Sequence, residues 1–212
     1  MKSLTKYLAS GALALALSAG SAFAATLSLI GGGYGSQLLA NYDLLPDLDT
    51  TTIQFLTGAV KDNTNGLQVT GPARVTFTYL GSEAGNDNIS ARMALGLFTE
   101  FTTIGTSVTF AQLVTGLIDF RFETIFPPPA VGMIANDGSA VPNSANYAIG
   151  YSALFNNDKS IYVLFDDIAV GDRDFDDFAM QITVAAIPLP AAGFLLIGAL
   201  GGLAFLRRRK TV

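Results

Sequence analysis

The stretch Arg74-Val-Thr-Phe-Thr-Tyr-Leu80 alternates apolar and polar side chains along most of its length. Successive side chains of a β-strand point to opposite faces, so its Val, Phe and Tyr share one face and its two Thr share the other. β-Branched and aromatic residues also suit a pleated, half-buried surface. The stretch therefore predicts a strand with one face in a core, and Gly81 predicts its end.

Similar short runs occur on both sides of this strand, separated by Gly, Asn, Asp and Pro residues. Between residues 25 and 186 no segment keeps an apolar period of 3.6 residues over the length of a helix. The further predicted strands are Thr52–Leu56, Ile89–Phe98, Leu117–Thr124, Tyr147–Phe155, Ser160–Phe165 and Phe178–Ala185. Ile89–Phe98 is interpreted as a strand, with a short helix as the alternative. Seven or more strands predict an all-β domain, a single β-sandwich or jelly roll.

The strand pattern stops at a C-terminal segment that begins with Ile187, Pro188, Leu189, Pro190 and Ala191. Proline has no N–H for a sheet and restricts the residue before it, so a separate element is expected here. The run Ala192–Leu206 follows without a charge, and four cations close it: Arg207, Arg208, Arg209 and Lys210. An apolar run close to the roughly 20 residues that span a bilayer predicts a transmembrane helix. The cations predict that its end stays cytoplasmic and that the preceding domain lies outside.

The N-terminus has the features of a secretory leader. Lys2 and Lys6 precede an apolar run, and Ala22-Phe23-Ala24 has the Ala-x-Ala form that signal peptidase accepts. The apolar run is too short to span a membrane comfortably. We therefore expect signal peptidase to cut between Ala24 and Ala25, and the mature chain to be exported.

The C-terminal segment resembles the VPLPA variant of the PEP-CTERM sorting signals, with Ile187 where that pattern usually has valine. Signals of that family contain a short motif, a transmembrane segment and an Arg-rich end, in the order seen here. The resemblance implies that an exosortase-type membrane transpeptidase cuts near the motif and releases the protein or transfers it to the surface of a Gram-negative cell. The expected organisation is a signal peptide at 1–24, an acidic β domain at 25–186 and a sorting signal at 187–212.

An ordinary membrane anchor is the alternative interpretation of the C-terminal segment. It would need the apolar run and the basic end but not the Pro-Leu-Pro-Ala sequence. In that case the protein would stay in the inner membrane. A lipoprotein is excluded because the chain has no cysteine to acylate.

Composition excludes several classes of function. The segment 25–186 holds all seventeen acidic residues and six of the twelve cations, a net charge of −11. Such a surface repels nucleic acid and favours divalent cations or basic partners. The chain has no Cys and no His, so thiol nucleophiles, Ser-His-Asp triads and the common zinc sites are ruled out. Catalysis would have to use carboxylates, Lys or Tyr, and the chain is not expected to be an enzyme.

Six aspartates fall within twelve residues between two predicted strands: Asp166, Asp167, Asp172, Asp174, Asp176 and Asp177. Crowded carboxylates favour a bound cation, and Ca²⁺ takes six to eight oxygen ligands in an irregular shell. The sequence therefore suggests Asp166, Asp172, Asp174 and Asp176 as calcium ligands. The alternative is structural: aspartates accept backbone hydrogen bonds in a hairpin loop while Phe175 and Phe178 point into the core. The loop also resembles the terminal hairpin of many exported bacterial β-domains.

Two local motifs are interpreted without a functional role. Asn88-Ile-Ser90 fits a glycosylation sequon, which carries little weight in an exported bacterial protein. The run 31–35, Gly-Gly-Gly-Tyr-Gly, has neither the Lys-Ser/Thr nor the following helix of a phosphate-binding loop, so a flexible turn is expected.

Three classes of function follow from the sequence. The first is a non-catalytic protein of the cell surface or extracellular matrix, associated with exopolysaccharide or biofilm. The second is a calcium-dependent carbohydrate-binding module, with Tyr34, Tyr147 and Tyr151 as candidate sugar-stacking residues. The third is a glycosidase with two carboxylates, such as Glu83 with Glu100 or Glu123.

Overall fold

The computed structural model describes residues 24–39, 42, 44–45, 48, 51–58, 64–83, 87–92, 95–126, 132–141, 146–167 and 173–187. These ranges are all-β, with fifteen strands and no α-helix. In chain order the strands are β1 (Thr26–Ile30), β2 (Gly35–Leu38), β3 (Thr52–Thr57), β4 (Gly66–Thr70), β5 (Ala73–Gly81), β6 (Asp87–Arg92), β7 (Leu95–Thr99), β8 (Ser107–Gln112), β9 (Gly116–Leu117), β10 (Arg121–Phe126), β11 (Gly132–Ala135), β12 (Ala140–Val141), β13 (Ala148–Tyr151), β14 (Ser160–Asp166) and β15 (Phe178–Ala186).

The strands form three sheets. The largest has seven strands in the order β2-β3-β13-β14-β15-β5-β8, the second has five in the order β12-β11-β10-β6-β7, and the third has three in the order β1-β4-β9. Every strand pair whose register is described is antiparallel. Residues 24–185 form one compact unit.

Aromatic side chains join the seven-stranded sheet to the five-stranded sheet. Phe122 of β10 stacks on Phe165 of β14 with ring centroids 5.0 Å apart, and it meets Phe178 of β15 edge-on at 5.6 Å. Tyr79 of β5 packs against Phe98 of β7 at 5.9 Å. All five rings are almost fully buried. Such ring pairs add about 0.5–1.5 kcal/mol each beyond the area that they bury.

A second core covers the opposite face of the seven-stranded sheet. Buried residues from the segment between β2 and β3 pack there with residues of the sheet and with Phe175; the buried members are Leu39, Tyr42, Leu48, Ile53, Ala148, Leu164, Phe175 and Ala179. β14 is therefore buried on both faces, and six of its seven residues are inaccessible to solvent. This explains the nearly continuous apolar run of that strand.

The buried side chain of Asn136, just after β11, ties the three-stranded sheet to the rest of the domain. Its Nδ2 donates to the carbonyls of Leu67 and Ile118 at 2.7 and 2.8 Å, and its Oδ1 accepts from the Leu67 amide at 2.8 Å. Tyr151 Oη donates to the same Oδ1 at 2.9 Å. All the hydrogen-bonding capacity of this amide is thus used in the interior.

The structure confirms the all-β prediction and corrects several strand bounds. The prediction of one strand at Ile89–Phe98 was wrong, because Ile89 pairs with Thr99 in a β6–β7 hairpin. The prediction of one strand at Leu117–Thr124 was also wrong, because β9 and β10 belong to different sheets. The strand predicted at Tyr147–Phe155 ends at Tyr151.

The predicted terminal signals lie mostly outside the described residues, which include Ala24, Ala25 and Ile187. Ala24 is exposed, whereas Ala25 is 1% exposed and directly precedes β1. Over the part of the chain that the structure describes, no helix has the length and hydrophobicity to span a membrane.

Candidate acidic site

Five described aspartates gather at the end of the β14–β15 hairpin, and we call them the acidic cluster: Asp166, Asp167, Asp174, Asp176 and Asp177. Asp166 ends β14, and Asp177 directly precedes β15. Asp166 and Asp167 are buried, while the other three are half-buried. Three of the four predicted calcium ligands, Asp166, Asp174 and Asp176, thus lie at the same end of the hairpin; the fourth, Asp172, lies outside the described residues.

A chain of hydrogen bonds connects the inner part of the cluster to the five-stranded sheet. The Asp167 amide donates to Asp177 Oδ2 at 2.7 Å, and Asn88 Nδ2 donates to Asp167 Oδ2 at 2.8 Å. Thr124 Oγ1 in turn donates to Asn88 Oδ1 at 2.8 Å. Asn88 and Thr124 are register partners on β6 and β10, and both are fully buried. The amide that holds the Asp167 carboxylate is thus fixed by sheet pairing.

The backbone of the loop before β15 is held by residues distant in sequence. Four of its carbonyl oxygens accept hydrogen bonds: Arg173 O from Gln37 Nε2, Phe175 O from Tyr42 Oη at 2.9 Å, Asp176 O from the Glu83 amide at 3.0 Å, and Asp177 O from Ser82 Oγ at 2.5 Å. The loop is therefore built into the fold, and its carboxylates are presented from a fixed backbone.

Phe175 anchors this loop in the second core. Its ring is fully buried, packs against Phe55 with centroids 5.7 Å apart, and lies directly over Gly150, where a Cβ would come within 2.9 Å of the ring. The backbone of Phe175 has φ = 64°, and that of Arg173 has φ = 48°. Such left-handed conformations cost about 1–3 kcal/mol in residues other than glycine. Burial of the Phe175 ring offsets this strain.

Burial and mutual repulsion raise the pKa of two carboxyls in the cluster. Burial raises the pKa of Asp176 to about 7, and the charge of Asp174, a hydrogen bond with it and the charge of Glu83 act in the same direction. Burial likewise raises the pKa of Asp177 to about 8. The hydrogen bond from the Asp167 amide opposes this rise, and the charges of Asp167, Asp166 and Asp174 add to it. At neutral pH the cluster therefore retains protons.

Two buried phenols next to the cluster stay neutral. Burial raises the pKa of Tyr42 far above its ordinary value, and the charges of Asp176 and Asp174 raise it further. Burial, followed by the charge of Asp167, also raises the pKa of Tyr147. Both phenols keep their protons and remain able to donate a hydrogen bond.

The predicted calcium site stays a prediction. Within the described ranges no group of three or more Asp, Glu, His or Cys side chains has an arrangement that could hold a metal ion. Asp172 lies outside these ranges, so this finding covers three of the four proposed ligands: Asp166, Asp174 and Asp176. The structural alternative gains direct support, because Asp177 accepts a backbone hydrogen bond and Phe175 and Phe178 are fully buried.

The tyrosines predicted to stack on sugars do not form an exposed platform. Tyr147 and Tyr151 are buried, at 5% and 0% exposure, so the prediction for these two was wrong. Tyr34 is half-buried, and its hydroxyl donates to Ile30 O at 2.6 Å and accepts from the Gly66 amide at 2.8 Å. These rings serve packing and hydrogen bonding within the domain.

The three candidate glycosidase carboxylates have different surroundings. Glu83 lies beside Asp176, Glu100 lies beside Tyr79, and Glu123 forms an ion pair with Arg121. The neighbour named for each glutamate is thus not another of the three. Their geometry gives no positive support for the two-carboxylate mechanism.

Sequence reasoning missed the polar partners of the cluster, above all Asn88, Thr124 and Tyr42. A sequon was the one motif noted at Asn88, yet its side chain is fully buried and hydrogen-bonded. The one available signal was that Thr124 ends one predicted strand and Asn88 directly precedes another. Their pairing depends on strand register between segments 36 residues apart.

Comparisons with protein-family models, with curated proteins and with solved structures found no match. The function proposed below accordingly depends on the residues of this chain.

Proposed function

We propose that this chain is an exported, non-catalytic protein of the cell surface or extracellular matrix. An exosortase-like system sorts it, and it is associated with exopolysaccharide or biofilm. The observation that carries the proposal is the C-terminal succession of Ile187-Pro-Leu-Pro-Ala191, an uncharged apolar run and Arg207-Arg-Arg-Lys210. A leader with an Ala-x-Ala site at the other end supports export.

The domain between these signals suits a structural role. In this proposal it is a single β-sandwich, with the seven-stranded and five-stranded sheets as its layers. The ring contacts of Phe122 with Phe165 and Phe178 across those sheets support this architecture. Its buried polar side chains Asn88 and Asn136 make hydrogen bonds to other groups of the domain. A net charge of −11 over residues 25–186 keeps such a domain soluble after release.

Intact mass of the protein recovered from cells and from medium tests the sorting step. We expect a species that has lost residues 1–24 and everything beyond the region 187–191. The double variant Pro188→Ala, Pro190→Ala should keep the N-terminal cut and lose the C-terminal one. A matched control, Pro127→Ala with Pro128→Ala, should be processed at both ends. A native mass that still includes Arg207–Val212 would show that the segment is an ordinary anchor and contradict the proposal.

A calcium-dependent carbohydrate-binding module is the second candidate. The observation that favours it is the crowding of the partly exposed Asp174, Asp176 and Asp177 at one end of the β14–β15 hairpin, where burial and neighbouring carboxylates raise the pKa of Asp176 and Asp177 to about 7 and about 8. A divalent cation would relieve the repulsion that helps to raise these values. Because the tyrosines do not offer a platform, sugar hydroxyls would have to take the place of water on the bound ion.

Calcium titration of the full-length protein tests this second candidate. Binding to the folded state alone must raise Tm, and it should release protons near neutral pH. Asp174→Asn should reduce the rise, while Asp158→Asn, in an exposed turn, should leave it intact. A glycan array with and without Ca²⁺ would then identify a sugar ligand. A Tm that does not respond to Ca²⁺ in the native protein would eliminate this candidate and leave the first one standing.

A further inference from the structure

The strand β8 forms an open edge of the seven-stranded sheet. Its six residues pair with β5 in a continuous antiparallel register from Ala73↔Gln112 to Thr78↔Ser107. Among the strands that the structure describes, β5 is its one neighbour in the sheet order. Within the described part of the chain, the backbone donors and acceptors on the other side of β8 thus face no strand, and a further strand could use them.

The chemistry of this edge is unusual for a protein of this charge. Residues 101–118, from Phe101 to Ile118, include no charged residue and no proline, although residues 25–186 carry a net charge of −11. Natural proteins protect open edges with charges, prolines, bulges or very short strands. β8 contains neither a charged residue nor a proline, and its described register has no bulge. By contrast β2, the opposite edge of the same sheet, is only four residues long.

Exposed apolar side chains stand at both ends of β8. Phe101 and Ile104 precede the strand and are 84% and 67% exposed; Leu113 and Val114 follow it and are 68% and 70% exposed. Large apolar side chains grouped along one edge mark an interaction surface more often than isolated ones do. The outer face of the strand is polar but neutral, with hydroxyl pairs Thr76–Thr109 and Thr78–Ser107, each at 2.8 Å.

We propose that two copies of this chain associate through β8, which pairs with its own symmetry mate in antiparallel orientation. A two-fold axis through an antiparallel strand pair places the start of one β8 against the end of the other. The Phe101 and Ile104 end of one copy then meets the Leu113 and Val114 end of its mate. The result joins two seven-stranded sheets into one continuous sheet.

The charge distribution favours a second copy of the chain as the partner of β8. Two domains of net charge −11 repel one another over most of their surface. The chain is uncharged between Glu100 and Asp119, so no charged side chain of one β8 opposes the β8 of its mate. The cations next to β8 belong to other strands: Arg74 lies opposite Ala111, and Arg92 lies over the Phe110 ring. The apolar groups at the two ends of β8 are complementary under the same two-fold rotation. This surface is independent of the sorting segment, so the inference holds whether or not the proposed function does.

Site-specific disulfide formation in the full-length protein, purified in a mild non-ionic detergent, tests the pairing. The native chain has no cysteine, so each single variant carries one thiol. Ser107, Thr109 and Ala111 share the exposed face of β8 and are changed to Cys in turn. Ser36→Cys, on an exposed position of β2 at the opposite edge, is the matched control. We expect covalent dimers in several-fold excess over Ser36→Cys, with a maximum at one β8 position that reports the register.

Sedimentation of the double variant Thr109→Lys, Ala111→Lys provides the second readout. Both positions are exposed, so the fold should be retained while the dimer dissociates into monomers. A small fall in Tm is expected, because the variant loses the Thr76–Thr109 hydroxyl bond and places a lysine opposite Arg74. Native protein that stays monomeric at every concentration would overturn the proposal. So would dimers that persist in the lysine variant with equal cross-linking at Ser36 and β8, because they would form through another segment.

Discussion

Asn136 bonds both backbone polar groups of Leu67, its N–H and its C=O, with one side chain. Its Oδ1 accepts the Leu67 amide at 2.8 Å, and its Nδ2 donates to the Leu67 carbonyl at 2.7 Å. Both residues are buried, at 3% and 0% exposure. The side-chain amide thus adds to the main-chain pairing at this point of β4, where the Ile118 amide also donates to the Leu67 carbonyl at 2.9 Å.

Asn136→Ala is expected to lower the free energy of unfolding by about 3 kcal/mol or more, because the buried Leu67 amide and Ile118 carbonyl lose the bonds that Asn136 makes with them. Urea unfolding followed by circular dichroism measures the change. Gln68→Ala removes the neighbouring, partly exposed bond to Ser28 Oγ at 3.1 Å and should cost less than about 1 kcal/mol. Equal losses in the two variants would show that Asn136 is not a structural hub.

Asn88→Asp should destabilise the domain strongly at neutral pH, by about 3 kcal/mol or more. The new carboxylate would be buried against Asp167, where an amide now donates at 2.8 Å. Acidification should restore part of the loss, since protonation removes the repulsion. Asn156→Asp adds the same charge at an exposed turn and should change stability by less than about 0.5 kcal/mol. Thermal unfolding at pH 5 and pH 7 makes the comparison.

The acidic cluster predicts a fall in stability with rising pH. Asp177 has a pKa of about 8 in the folded protein against an ordinary value of 3.8, so the folded state holds more protons between these values. Its contribution is complete below about pH 4 and is lost as pH rises toward 8. The slope from this group is below about 1.4 kcal/mol per pH unit. Asp176, with a pKa of about 7, acts in the same direction.

Asp177→Asn isolates this effect. Its amide oxygen can still accept the Asp167 N–H, and it has no charge to bury. We expect a flatter stability profile between pH 4 and 8 and a variant more stable than the native protein at pH 8. The slope should persist in Asp158→Asn, a change on an exposed turn. A native profile that rises over this interval would contradict the assignment.

Phe175→Ala should cost about 3–5 kcal/mol, as expected when a buried ring leaves a cavity. The substitution does not relieve the left-handed backbone at φ = 64°, because alanine also has a Cβ. Leu38→Ala, at a 59% exposed position near the same loop, should have an effect within about 0.5 kcal/mol. Guanidinium unfolding midpoints give both values. A small loss for Phe175 would mean that its ring does not anchor the loop.

The sequence predicted the fold class because local alternation is visible without any partner strand. Thr52–Thr57, Ala73–Gly81, Ser160–Asp166 and Phe178–Ala186 were placed within about two residues of their observed ends. The hairpin at Ile89–Thr99 was missed, because its turn lacks the Asn-Gly or Asp-Gly pair that marks a tight reversal. β8 was also missed, although Ser107–Gln112 alternates, because one of its faces is exposed and the other is only partly buried.

The aspartates of the site were found from sequence because they are consecutive or nearly so. Their partners were not, since Asn88 and Thr124 reach the cluster only through the pairing of β6 with β10. The burial of Tyr147 and Tyr151 could not be predicted either, because a tyrosine in a strand can lie on a solvent-exposed face or in a core. The raised pKa of Asp177 results mainly from its own burial in the folded protein, and no local sequence pattern indicates that burial.

The contrast between exposed Ala24 and buried Ala25 bears on the order of events in the export that we propose. β1 starts one residue later, and the Leu27 amide already bonds to Asp158 O at 2.6 Å. A peptidase that cuts between Ala24 and Ala25 needs several extended residues on both sides of the bond. In the export route that we propose, the leader is therefore removed before β1 can pair with β4.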